Sequence, residues 1–310
     1  MKIRSLWLTA LCAVVGLVST VSAAPSDVRY APANADLIIR INGRAIHGNR
    51  IFAKFKESAD YQAWAKKAQD ELTKVGLVLD DMIKSDVYVF ADVDTFNPNR
   101  PAMHFLFRTS KPYSSLLLGL LDKKAAEPGS KKTTVKRIVV GGKEARVVAD
   151  ESVSMGVVAI AGDLLQISLN SPELTELVKG SATELTSIID SDAMISIAYK
   201  ISEASANALL AKCPEEFRPF ITGLTAASIN LIDGGESIRI KGELAYADQQ
   251  TADGIRQMLQ GLLEVLRQSS AQDNPELAEV LKKVTISGRG NMVVISFDCP
   301  NEEIIKLMKF

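Results

Sequence analysis

Ile167-Ser168-Leu169-Asn170-Ser171-Pro172-Glu173 and Ile295-Ser296-Phe297-Asp298-Cys299-Pro300-Asn301 share one pattern. Each ends an apolar run and then sets a proline where a helix would take its first residue, with Ser171 or Cys299 near the cap. Each leads into a short amphipathic segment, residues 174–179 and 302–309. A pattern that returns at this distance marks a duplicated unit, and it has to be found before a fold is assigned.

Working outward, further segments align. Asp36-Leu37-Ile38-Ile39-Arg40-Ile41 parallels Asp192-Ala193-Met194-Ile195-Ser196-Ile197, each reading as an opening strand. Leu37, Ile39 and Ile41 share one face by period 2. A helix is predicted over residues 51–75, where Tyr61, Trp64, Ala65, Ala68, Leu72 and Val75 fall at helical spacing. Its counterpart begins near Ser202. Strand pairs follow at 86–91 with 102–107, and at 227–232 with 237–244, the latter joined through Asp233-Gly234-Gly235. Second helices are predicted at 113–121 and 251–268, with an extra one at 274–283. Closing strands are expected at 136–140 with 145–148, over 156–169, and at 284–287 with 292–297.

Strand–helix–strand–strand–helix–strand order predicts an α+β fold of two tandem repeats. Each would be a mostly antiparallel sheet with helices packed on one face, of the split βαβ kind. Residues 25–180 form the first expected repeat and 181–310 the second. The boundary falls at Lys179-Gly180-Ser181-Ala182-Thr183.

Residues 1–24 read as a secretory signal peptide. Lys2 and Arg4 supply its positive end, residues 5–18 its apolar core, and Val21-Ser22-Ala23 a cleavage site after Ala23 or Ala24. The alternative is an uncleaved anchor, because the uncharged stretch reaches Ser26 and a span needs about 20 predominantly apolar residues. No later stretch is apolar enough to span, so no membrane segment is expected after cleavage, and the destination is the periplasm or the exterior. Cys213 and Cys299 survive cleavage. In an oxidising compartment a bridge between them would contribute about 4 kcal/mol by loop-closure entropy; two separate thiols are the alternative.

The 310 residues are 47% hydrophobic and 24% charged, the profile of a folded globular protein. A net charge of −1 argues against a nucleic-acid partner. Neither a Gly-x-Ser-x-Gly elbow, a His-Glu-x-x-His helix nor a phosphate-binding glycine loop is present. With only two histidines, a hydrolytic triad would have to use His47 or His104. His104 reads as a sheet residue and His47 as a solvated loop residue. Asp92-Val93-Asp94-Thr95-Phe96-Asn97-Pro98-Asn99 offers oxygen ligands of the kind calcium takes, but Phe96, Asn97 and Met103 break the EF-hand pattern, so a turn is expected there. The basic residues Lys131, Lys132, Lys136 and Arg137 read as a solvated run with some capacity for acidic polymers.

Ala31-Pro32-Ala33-Asn34-Ala35-Asp36-Leu37-Ile38-Ile39-Arg40-Ile41 resembles the opening of a loose group of secreted bacterial proteins of unknown function. Their domains begin with a Pro-Ala segment, run into an aliphatic strand and recur in tandem. The resemblance implies the layout above and carries no catalytic residues. The sequence therefore names no catalytic, cofactor-binding or metal-binding residue. It points to an exported, non-catalytic binding or structural protein whose partner is a cell-envelope protein or polymer. An envelope hydrolase using paired carboxylates and a small-ligand carrier remain as alternatives.

Overall fold

The computed structural model describes residues 27, 30–32, 35–91, 103–125, 134–149, 154–170, 185, 188–273 and 275–307. The chain divides into two units, one running to Thr186 and one over Ser187–Lys309.

The first unit opens with β1 (Leu37–Asn42). Asn42 then caps α1 (Gly43–Gly48), its Oδ1 accepting from the Ala45 amide at 3.0 Å. The helix predicted over 51–75 forms as two, α2 (Arg50–Lys56) and α3 (Ala59–Thr73). The break lies at Ser58, whose hydroxyl accepts from the Tyr61 amide at 3.2 Å and so starts a new helix. Gly76, at φ 78°, ends α3 in a backbone conformation that other residues resist. After α4 (Leu79–Ile83), Phe52, Phe55, Trp64 and Leu72 pack around Tyr61, Leu79 and Ile83 in a small core of their own.

Strands β2 (Asp86–Ala91) and β3 (Met103–Arg108) pair antiparallel, and α5 (Ser114–Ala125) follows. Strands β4 (Thr134–Val140) and β5 (Lys143–Ala149) turn through Gly141-Gly142, as their sequence predicts. The run 156–169 is not one strand. It folds back at Gly162-Asp163 into β6 (Ser154–Ala161) and β7 (Leu164–Leu169). The order across this unit's sheet is β1-β2-β3-β7-β6-β5-β4. On one face Val87, Val89, Phe105, Phe107, Val157 and Leu165 meet Leu118 of α5.

The second unit runs β8 (Ala193–Lys200), α6 (Glu203–Lys212), α7 (Arg218–Ile221), β9 (Leu224–Asp233) and β10 (Ser237–Tyr246). Then come α8 (Gln249–Asp273), α9 (Pro275–Lys282), β11 (Val284–Arg289), β12 (Met292–Pro300) and α10 (Asn301–Leu307). Its sheet order is β8-β9-β10-β12-β11. Asp248 starts α8, its Oδ1 accepting from the Thr251 amide at 2.8 Å. Tyr246, Ala252, Ile255 and Val293 form the core under α8, with Leu244, Leu259 and Ile286 around them.

One expectation is corrected here. Pro300 is not a first helical residue: it is the last residue of β12, opposite Ser237, and the helix starts after it. Within each unit every strand lies antiparallel to its neighbours. β10 and β11, joined through α8 and α9, lie on either side of β12, the layout of a split βαβ. β1 and β2, and β8 and β9, are also joined through helices but lie directly side by side. The Pro172 neighbourhood, residues 92–99 and the expected signal peptide lie outside the described residues. The protein is thus α+β, with mixed helices and extensive antiparallel sheet.

Candidate functional site

A hydrolytic triad needs an exposed nucleophile, a base that can take a proton, and an acid that orients it. His104 on β3 faces β7, where its Nδ1 lies 3.1 Å from the Ser168 hydroxyl. Ser168 is 1% exposed, so no substrate reaches it. Burial pushes the imidazole down to about 4, which leaves it neutral but a poor base. No carboxylate stands behind it among the described residues. His47 lies elsewhere, on α1, with Nε2 3.2 Å from Asp80 Oδ1. Burial and then Lys56 lower its pKa against the pull of Asp80.

The sheet face that carries His104 is lined with charge. Arg40 Nη2 lies 3.5 Å from Asp86 Oδ2, with both side chains almost fully buried. The Arg40 guanidinium also sits 5.9 Å from the centre of the Tyr88 ring. At the strand ends Arg108 donates from Nε and Nη2 to Asp27, at 2.6 and 2.7 Å, and from Nη1 to Asp163 at 2.7 Å. These are arginine–carboxylate clamps of the kind that hold elements in register. Arg137 of the basic run is used in a similar way. Arg137 on β4 and Arg146 on β5 both reach Asp122 of α5, each at 2.8 Å.

The second unit has a polar face and an apolar one. Opposite residues in an antiparallel pair share a face, so Ser196, Asn230, Lys241 and Ser296 form one row. Lys241 Nζ bridges Asp190 at 3.4 Å and Glu243 at 3.1 Å. Asn230 Nδ2 donates to Ser228 at 3.2 Å and to Ile188 carbonyl oxygen at 3.5 Å. This is the densest polar cluster of the unit, and its chemistry is not that of a catalyst. Burial pulls the Lys241 pKa down, but Glu243 and Asp190 outweigh it and leave the ammonium raised. A lysine base needs the reverse shift.

On the other face, Ile197 stands opposite Ile229, and Ile240 is opposite Leu231, two residues along β9. Ile197, Ile229 and Ile240 are exposed, Ile229 by 53%. Above this face runs α8, whose Met258, Leu262, Val265 and Leu266 are exposed as well, Val265 by 62%. Of the thirteen large hydrophobic residues exposed among the described residues, ten belong to the second unit. Seven of these ten lie on this sheet face and on α8, a denser grouping than the single exposed leucines that are ordinary on protein surfaces. The sequence predicts the helix but not which side of it is covered; a 25-residue helix with an apolar arc this wide presents more than one sheet contact can cover.

Cys213 and Cys299 stand as free thiols. Among the described residues no three His, Cys, Asp or Glu side chains gather as metal ligands would. No helix among them is long and apolar enough to cross a membrane. An open depression at the start of α8 is lined by Gln249, Gln250, Asp253, Gly254 and Gln257, not by the apolar walls a small-ligand carrier needs.

No known protein family matches the sequence, and no curated protein does. Among solved structures, three crystal forms of TP0453 align distantly. Form III gives a TM-score of 0.46 at 11% identity over 91% of this chain and 96% of that one. Form IV gives 0.45 at 13% identity over 90% and 96%. Form I gives 0.44 at 12% identity over 93% and 98%. The likeness is a distant structural resemblance and assigns no activity.

Proposed function

We propose that the chain is an exported, non-catalytic binding or structural protein of the bacterial cell envelope, built by duplication of one α+β unit. The second unit's apolar sheet and helix surface is where it assembles. The observation that carries this reading is the concentration of exposed apolar side chains, ten of thirteen, on that unit. A protected base at His104 and a charged Lys241 support the non-catalytic part. Lys2, Arg4 and the apolar run behind them support export, with cleavage after Ala23 or Ala24.

Duplication is supported by strand order. The Ile167-Ser168-Leu169 strand lies between β3 and β6, and the Ile295-Ser296-Phe297 strand lies between β10 and β11. If β4 and β5 are set aside as an added hairpin, the first unit runs first, second, third, last, penultimate strand, and so does the second. The repeats would then be 25–180 and 181–310.

A photoreactive residue in place of Ile229 in the exported protein tests the binding role. Discrete adducts are expected there, and none from the exposed Glu57 of the first unit. Absence of adducts from Ile229 overturns the reading. So does turnover of an envelope glycan or peptide that a single Asp or Glu substitution abolishes.

A further inference from the structure

The apolar surface of the second unit has a floor and a wall. Ile197, Ile229 and Ile240 form the floor, on three adjacent strands. The wall is one flank of α8, and the contacts of the helix show which way that flank points. Its charged and amide-bearing side is tied to the β11 edge: Gln260 Nε2 donates to Ile286 carbonyl oxygen at 3.0 Å, and Arg267 donates to the Leu281 and Val284 carbonyls at 3.1 and 2.8 Å. Arg256 lies against Gly288 on the same strand. Ala252, Ile255 and Leu263 are buried downward. At 100° per residue, the remaining flank holds Met258, Leu262 and Val265, and it faces away from β11 over the exposed isoleucines.

We infer that the occupant of this surface is a second copy of the chain, paired through α8 about a two-fold axis near Leu262. The inference rests on the binding role proposed above. Three features favour a copy over an unlike partner. The flank carries no charge, so the same ridge from a second copy meets no like-charged neighbour. Met258, Leu262 and Val265 alternate by four and three residues, the spacing of a seam between paired helices. Six half-exposed aliphatic side chains supply on the order of 500 Å² per copy, so a pair would bury about 1,000 Å² from these alone, the lower bound for a biological interface. Gly254 and Gly261 lie on the same flank, two turns apart, and an added Cβ at either meets nothing within 4 Å. Glycine weakens a helix interior, and here it lets a second backbone come close.

Sedimentation velocity on the exported chain without its leader tests this, from about 1 to 100 μM in detergent-free buffer. A concentration-dependent dimer is expected. Val265→Asp and Ile229→Asp should each weaken it at least about tenfold. Both side chains are exposed, so circular dichroism and the melting temperature of the variants should match the parent. Gly261→Gln, which adds bulk into open space, should weaken the dimer as well. A monomer throughout the range, or a dimer that Val265→Asp leaves intact, overturns the inference. If the protein is monomeric and Ile229 still crosslinks to a different envelope component, the second copy is refuted while the binding role stands.

Discussion

Arg40 and Asp86 form a buried pair whose coupling can be measured. Their side chains are 2% and 0% exposed and their nearest charged atoms are 3.5 Å apart. At an effective dielectric constant of ~20 that separation is worth about 5 kcal/mol of attraction, set against the desolvation of both ions. Removing one partner takes the nearest countercharge away from the other, which stays buried in the sheet. Arg40→Met and Asp86→Leu should therefore each destabilise the first unit by about 3–5 kcal/mol. The double variant replaces both charges with apolar side chains, and it should return to within about 2 kcal/mol of the parent. Urea unfolding followed by tryptophan fluorescence reads this directly. The chain has two tryptophans, Trp7 and Trp64; a protein prepared without residues 1–24 keeps only Trp64, in the aromatic core of α3, and so reports from the first unit alone. Equal m-values across the four proteins would license the comparison. If the double variant loses the sum of the two single losses, the charges are independent and the reading of this face as an interlocked polar layer is wrong.

His104 gives the protein a pH dependence. Its folded pKa of about 4 lies below the ordinary 6.5, so between those values the unfolded chain binds a proton that the folded chain refuses. Stability from this group is full above pH 6.5 and falls toward pH 4, by roughly 3 kcal/mol; thermal melts at pH 7 and 4.5 should show a smaller drop for His104→Phe than for the parent. Gly76→Ala forces a Cβ into φ 78° and should cost about 1–2 kcal/mol by the same urea assay, with no loss indicating that the helix end relaxes. A chromogenic thiol reagent added to the exported chain under denaturing, non-reducing conditions should titrate both Cys213 and Cys299, and no titration would mean they are bridged.

Much of the architecture was legible locally. The strand pair 86–91 with 102–107, the Gly141-Gly142 and Asp233-Gly234-Gly235 turns and the helix at 251–268 all formed nearly where the pattern placed them. Other boundaries turned on single side chains. Ser58 divides one predicted helix into two because its hydroxyl satisfies an amide that a continuous helix would have bonded otherwise. Gly162-Asp163 likewise divides one apolar run into a hairpin, since a run of that kind is equally consistent with one long strand.

Composition and periods of 2 and 3.6 residues were enough for the α+β class and for most of the strands, because both are local properties of the chain. Only the tertiary structure decided which strands are neighbours and which faces are covered. Period 2 assigns Leu37, Ile39 and Ile41 to one face of β1 but is silent on Arg40, which the fold buries beside Asp86 instead of exposing to solvent. It gives Ile229 the same alternation as a core residue, yet the fold leaves Ile229 exposed. Burial depends on what packs opposite, and those partners come from segments remote in the chain, which no local pattern records.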